Sequence, residues 1–163
     1  GKSSLINALA GRKGLARASN TPGRTQQINF FLLGDAVYLV DLPGYGYAAA
    51  AQTKVHAWND MVRGYLKSRQ TLKRVCLLVD SRRGLMDIDL ETMAMLDRAN
   101  VPYAVVLTKA DKLKMADLDA TRAAVAEELA AHPAAFPAPH LTSAEKKQGI
   151  TELRAFLASG LNL

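Results

Sequence analysis

Two apolar runs constrain this chain more than anything else in it. "YAVVLT" at 103–108 reads as a strand, and "VCLLVD" at 75–80 is continuous rather than alternating. Strands of that kind are buried on both faces of a sheet. A helix capped by Asp87 or Asp89 and running to about Asn100 fits between them, the crossover that parallel strands need. The same alternation extends both ways. Upstream, "INFFLL" (28–33) and "VYLVDL" (37–42) read as strands joined by a tight Gly34-Asp35 turn, hence antiparallel. A helix follows with Val55, Trp58, Met61, Val62, Tyr65 and Leu66 on one face. Downstream, a helix from about Asp117 carries Leu118, Val125 and Leu129 and ends at Pro133. A short strand near "PHLT" (139–142) and a last helix with Ile150, Leu153, Phe156 and Leu157 on one stripe complete the order. The expected fold class is α/β, a mixed, mostly parallel sheet flanked by helices. Ligands of such folds bind at the carboxyl ends of the strands.

The chain has 163 residues, 49% of them hydrophobic, which suits one domain with a full core. No run approaches the roughly 18–20 apolar residues of a membrane span, and the first residues have no signal-peptide pattern. The single cysteine, Cys76, lies in the apolar "RVCLLVD", so a buried inert thiol is expected and an internal disulfide is excluded. A cytoplasmic monomer is the expectation. The formal charge of +6 gathers in "GRKGLAR" (11–17), "LKSRQTLKR" (66–74), "SRR" (81–83) and "EKKQ" (145–148). These read either as solvated surface or as contacts to an RNA backbone, with Arg82 and Arg83 candidates for the latter. Aromatic residues do not interleave with the basic ones, which argues against a stacking platform for single strands.

The polar motifs fall where the fold would place a ligand. The chain opens on "GKSSLINALAG", the second half of a G-x-x-x-x-G-K-[ST] phosphate loop. Lys2 should reach the β and γ phosphates, and the Ser3 hydroxyl should bind Mg²⁺. The helix from Ser4 points its positive end at the phosphates, with Leu5, Ile6 and Leu9 inward. "DLPG", Asp41-Leu42-Pro43-Gly44, ends the second strand. Asp41 can reach Mg²⁺ through a water, and the Gly44 N–H can meet a terminal phosphate. "TKAD", Thr108-Lys109-Ala110-Asp111, ends the "YAVVLT" strand. One carboxylate there, Asp111, can accept both the N1–H and the 2-amino group of guanine, a donor pair adenine lacks, while the Lys109 stem covers the base. "LTSA", Leu141-Thr142-Ser143-Ala144, ends the last strand, where backbone N–H groups can meet the guanine O6.

Taken singly, DLPG is a strand-ending turn, TKAD a loop with a capping Asp, and Ser143 a helix cap. Taken together, their order and spacing are those of the guanine-nucleotide-binding fold. A second Mg²⁺ ligand should come from the segment before the first apolar strand, "SNTPGRTQQINFF". Thr21 and Thr25 are candidates, and Thr25 is preferred because it lies nearer the strand, beyond Pro22-Gly23. Tyr45 follows DLPG where many GTPases place a glutamine that orients water, so slow intrinsic hydrolysis is expected. "GYGYAAAAQTK" has the small residues of a switch that orders around a γ-phosphate.

The set "GKSSLINAL", "NTPGRTQQINFF", "VDLPGYGYA", "TKAD" and "KKQGI" resembles the EngB/YihA family of bacterial GTPases, in the TrmE–Era–EngA–EngB group, over essentially the whole chain. The resemblance implies a Ras-like P-loop fold, GTP as substrate, Mg²⁺, and work in large ribosomal subunit assembly, in a family also linked to cell division and septation. It implies Ser3 and Thr25 as Mg²⁺ ligands and a nucleotide site that includes Gly1, Lys2, Ser3, Ser4, Gly23, Arg24, Thr25, Gln26 and Gln27 besides the strand-end motifs. Lys2 and Thr25 are the expected catalytic pair. The loop "SRRGLMDID" departs from the family's R-H-x-P pattern. In that comparison residues 1–163 form a single G domain whose first strand and first half of the phosphate loop would precede Gly1. In related GTPases an Asn of that half can hold a monovalent cation. An alternative function is a GTP-dependent interaction switch in cell division, with hydrolysis only as a timer. The large subunit, through its rRNA backbone, is the expected partner.

Overall fold

The computed structural model describes residues 1–15, 28–33, 37–42 and 52–161, with no account of side chains at 52–58. The chain divides into two compact units, Gly1–Ala16 with Thr71–Leu163, and Arg17–Gln70.

The larger unit is built on a parallel sheet. Strands β3 (Val75–Asp80), β4 (Tyr103–Thr108) and β5 (His140–Leu141) pair in that order. β3 and β4 run in register from Val75 opposite Tyr103 to Asp80 opposite Thr108. The sequence placed both strands at these residues. Every residue of β4 is buried, as an unbroken apolar run in a central strand requires. Helices α1 (Lys2–Ala10) and α5 (Ile150–Ser159) meet over this sheet. Leu5, Val106, Ile150 and Leu153 form a core cluster there, with Leu9, Phe156 and Leu157 packed against it. Side chains alternate along a strand, so Val105 and Leu107 point to the opposite face. Helices α3 (Asp87–Arg98) and α4 (Met115–Leu129) bury Met93, Leu96, Val125 and Leu129. Cys76 packs on the α1–α5 cluster, and burial raises its thiol pKa to about 11, in keeping with an inert thiol.

In the smaller unit, β1 (Asn29–Leu33) and β2 (Val37–Asp41) pair antiparallel, Asn29 opposite Asp41 and Leu33 opposite Val37. The expected Gly34-Asp35 turn lies outside the described residues. Helix α2 (Gln52–Ser68) buries Val62 and Leu66. Arg69 lies over the rings of Phe30 and Tyr65, 4.9 and 5.2 Å from their centroids. Folding thus brings Arg69 to Phe30, a ring that the sequence keeps far from it, as well as to Tyr65 one helical turn away.

Several helix ends differ from expectation. Neither Asp87 nor Asp89 is the N-cap of α3. Met86 is, and the Asp89 carboxylate accepts a 2.9 Å hydrogen bond from the Met86 N–H. A carboxylate three residues inside a helix can serve the first free N–H as well as a cap can. Helix α4 starts at Met115 and ends at Leu129, before Pro133. Its chain turns through His132, whose N–H donates to Leu129 O. Ser143 does not cap α5, which begins after Gly149, a glycine at φ 69°. A Cβ there would lie 1.9 Å from Leu141 O, so the position admits only glycine. Two arginines secure helix ends. Arg154 of α5 donates to Leu9 O (2.9 Å) and Ala8 O (2.6 Å) at the C-terminus of α1. Arg74 donates to Phe156 O and to Ser159 Oγ (3.1 Å), its guanidinium 4.2 Å from the Phe156 ring centroid. One cation of the basic stretch 66–74 is therefore part of the packing.

Candidate functional site

A cleft of about 390 Å³ opens in the larger unit where three chain segments meet. Gly1, Ser4 and Leu5 come from the start of α1, Thr108, Lys109, Asp111 and Lys112 follow β4, and Thr142, Ala144 and Glu145 follow β5. The helix start and two of the three strand ends that the sequence marked meet here. A Cβ built on Gly1 would lie 3.8 Å from Thr108 Oγ1 and 3.9 Å from Lys109 Cε, so the phosphate-loop glycine abuts the TKAD turn. No side chain caps the first turn of α1. The cap residue is Gly1, which has no side chain to offer, and the partial positive charge at this helix end suits an anion.

The TKAD turn is held from both sides. Lys109 sits in the left-handed region at φ 56°, and Ala110–Lys112 form one turn of 3₁₀ helix. Ala110 N–H donates to Thr142 O (3.0 Å), and Ser81 Oγ donates to Lys109 O (3.0 Å). Thr142 is buried and anchors the third segment, donating through both N–H and Oγ1 to Leu107 O at 2.8 and 3.0 Å.

Ser143 is fully buried, and its Oγ donates to Asp111 Oδ1 at 2.6 Å. Ser143 Oγ also accepts from Lys146 N–H at 3.0 Å. That hydrogen bond from Ser143, ahead of the nearby Lys112 ammonium, holds the Asp111 carboxyl below the usual carboxylate range. An acceptor-only carboxylate at neutral pH is what a pair of N–H donors needs. Lys112 bridges Asp111 and Glu145 at 3.6 and 3.2 Å. Ser143 and Gln148 exchange backbone hydrogen bonds of 2.9 and 3.0 Å, closing the loop after β5. The Ser143 N–H is thereby committed to Gln148 O. Ala144, the other member of the serine-alanine pair, lines the cleft.

Asp41 ends β2 in the smaller unit and is buried, with Leu42 half-buried beside it. Lys2 and Ser3 occupy the first turn of α1, both half-buried. Pro43, Gly44, Tyr45 and the segment Thr21 to Gln27, with Gly23, Arg24, Thr25 and Gln26, lie outside the described residues. Sequence reasoning overlooked Ser81 and Asp80, which close β3 beside TKAD. The signal was present as "VDS" at the end of a buried strand.

Fold and site together define a P-loop GTPase, an enzyme that converts GTP to GDP and phosphate. A family model described as a 50S ribosome-binding GTPase matches residues 1–109. The "Probable GTP-binding protein EngB" of Jannaschia sp. is 57% identical over 159 residues, 98% of this chain and 73% of that protein. The protein of the same name from Cereibacter sphaeroides is 54% identical over 159 residues, again 98% and 73%. The crystal structure of a probable GTP-binding protein engB matches at a TM-score of 0.77 and 22% identity, over 98% of this chain and 92% of that one. Era in complex with MgGDPNP and nucleotides of 16S ribosomal RNA matches at 0.75 and 21%, over 100% and 53%. The chain belongs to the EngB family of GTP-binding proteins.

Proposed function

We propose that residues 1–163 form one G domain whose GTP cycle governs attachment to the large ribosomal subunit or its precursor. The observation that carries the nucleotide half of this reading is the Ser143–Asp111 hydrogen bond, which fixes an ionised carboxylate in the cleft between the α1 start and the strand ends. Asp111 takes the guanine N1–H and amino group, the Lys109 stem covers the base, and the Ala144 N–H meets O6. Thr108, Ala110, Leu141 and Thr142 hold that frame in shape. Gly1, Lys2, Ser3 and Ser4 receive the phosphates on the positive end of α1.

Mg²⁺ fits the chemistry of these residues. Its habit is to take one or two hard oxygen ligands from protein and the rest from phosphates and water. The Ser3 hydroxyl is such an oxygen. Among the described residues no group of three or more His, Cys, Asp or Glu could hold a metal by itself. Bound there, Mg²⁺ would neutralise charge that develops on the phosphate oxygens. Thr25 is the second ligand in this reading, and Asp41 and Gly44 respond to the γ-phosphate. Lys2 stabilises the transferred phosphoryl group. Tyr45, in place of glutamine, makes intrinsic turnover slow.

Support for the ribosomal half is of another kind. The matching family is described as 50S ribosome-binding, and Era, of similar fold, was solved on 16S ribosomal RNA. The formal charge is +6, and Arg82 and Arg83 are exposed. No helix among the described residues is long and apolar enough to cross a membrane. A monomer in the cytoplasm is the state this reading assumes. The second reading, a cell-division switch that uses hydrolysis only as a timer, predicts no ribosome contact. Co-sedimentation with purified 50S particles separates the two. Binding in GTP analogue that is lost in GDP and falls steeply with salt is expected. Equal recovery without particles, in either nucleotide, would remove the ribosome from the proposal.

A further inference from the structure

The base-reading turn is coupled to a surface arginine through one carboxylate. Asp80 ends β3 opposite Thr108. Its Oδ1 accepts from the Arg82 backbone N–H and from Arg82 Nε, each at 3.0 Å. Its Oδ2 is shared: Arg82 Nη2 lies at 2.7 Å and Lys109 Nζ at 3.4 Å. The Arg82 hydrogen bond, against the effect of burial, holds the Asp80 carboxyl well below the usual range, and Lys109 adds to it. The next residue, Ser81, binds the backbone of the same turn, its N–H donating to Thr108 O at 2.9 Å. The Arg82 side chain is 47% exposed, that of Asp80 only 21%.

We propose that Asp80 is a positioning residue for guanine recognition, holding Lys109 Nζ so that the lysine stem lies over the base, and that Arg82 competes for the same oxygen. This rests on the cleft being the guanine site. With Arg82 engaged, both Asp80 oxygens serve a partner that touches no base, and Lys109 has only a share of one of them. An external phosphate that draws Arg82 away leaves Oδ2 to Lys109 alone, and the nucleotide is held longer. The segment 81–83 is then a surface contact and a tuning element at once.

The test is the release rate of a fluorescent GDP analogue from the Mg²⁺-loaded protein. Arg82→Ala alters an exposed side chain and should slow release. Asp80→Asn should speed it, and Asp80→Glu should restore part of the loss. Exposed ion pairs are worth about 0.2–1 kcal/mol, so each change should be about 1.5- to 5-fold. In the Asp80→Asn background, Arg82→Ala should have no effect. Opposite signs from neighbouring substitutions are what a purely structural ion pair would not give. Release from Arg82→Ala that is unchanged or faster overturns the proposal, as does an Arg82 effect that survives without the carboxylate. Asp111→Asn is measured alongside. If it exchanges GDP for xanthosine diphosphate while Arg82→Ala is neutral, this inference fails and the guanine site stands. If Asp111→Asn keeps its preference for GDP, the guanine site fails and the inference with it.

Discussion

Asp111 owes its chemistry to a neighbour that is remote in sequence. In the proposed site both guanine donors need an acceptor, and Ser143 orients the carboxylate by donating to one of its oxygens. Asp111→Asn puts an N–H against the guanine N1–H, donor against donor, while xanthine offers an acceptor in place of the amino group. The variant should lose GTP and gain xanthosine triphosphate, read by competition against a labelled nucleotide. Retained preference for GTP would remove Asp111 from base reading. TKAD itself was legible because residue type and strand end coincide. The Ser143 Oγ contact was not, since nothing local distinguishes a serine that caps a helix from one that reaches a carboxylate on another turn. Asp80 escaped for a related reason: its partners, Arg82 and Lys109, lie on two different strand ends.

Among the elements, strands were easier to read than helix ends. β3 and β4 are unbroken apolar runs bounded by polar residues, and they occupy the expected positions. Helix limits depend on single hydrogen bonds, and here Asp89, one of the two expected caps, acts from inside α3 rather than ahead of it, while an unexpected group, Arg154 of α5, serves the end of α1. Arg154 serves the Leu9 carbonyl and adds a second bond to Ala8 O, which already accepts from Gly11 N–H at 3.3 Å. Arg154→Ala should destabilise the protein by about 1 kcal/mol, below the roughly 1.5–3 kcal/mol of charged hydrogen bonds because the side chain is exposed. Urea unfolding reads this as a lower midpoint at constant m. Arg154→Lys, which cannot span both carbonyls, should recover little. An unchanged midpoint in the alanine variant would mean that water serves those carbonyls equally well.

At the scale of the whole molecule, one histidine ties two helices together. His132 Nδ1 lies 2.6 Å from Asp97 of α3, and Nε2 lies 3.2 Å from Glu128 of α4. Asp97 also accepts from Ala134 N–H at 3.1 Å. Burial disfavours the imidazolium, but the two carboxylates outweigh it and raise the pKa. A group with a raised folded pKa contributes stability that is fully present below its ordinary value, near 6.5, and is lost as pH rises through the raised value. The melting temperature of the wild type should therefore exceed that of His132→Gln most at pH 6, with the gap narrowing towards pH 8. A gap that does not change over that interval would show that the charge on His132 is irrelevant to the fold.

The ring closed by Ser143 and Gln148, with Gly149 pressed on Leu141 O, bears on how fast the base is accepted. A loop that must find its shape around a ligand loses conformational freedom at the moment of capture, and affinity falls accordingly. This loop incurred that loss when the chain folded. At the proposed base site, arrival of the purine would then be a docking event on a finished surface, and the lifetime of the complex would rest on contacts made after docking, that of Lys109 among them.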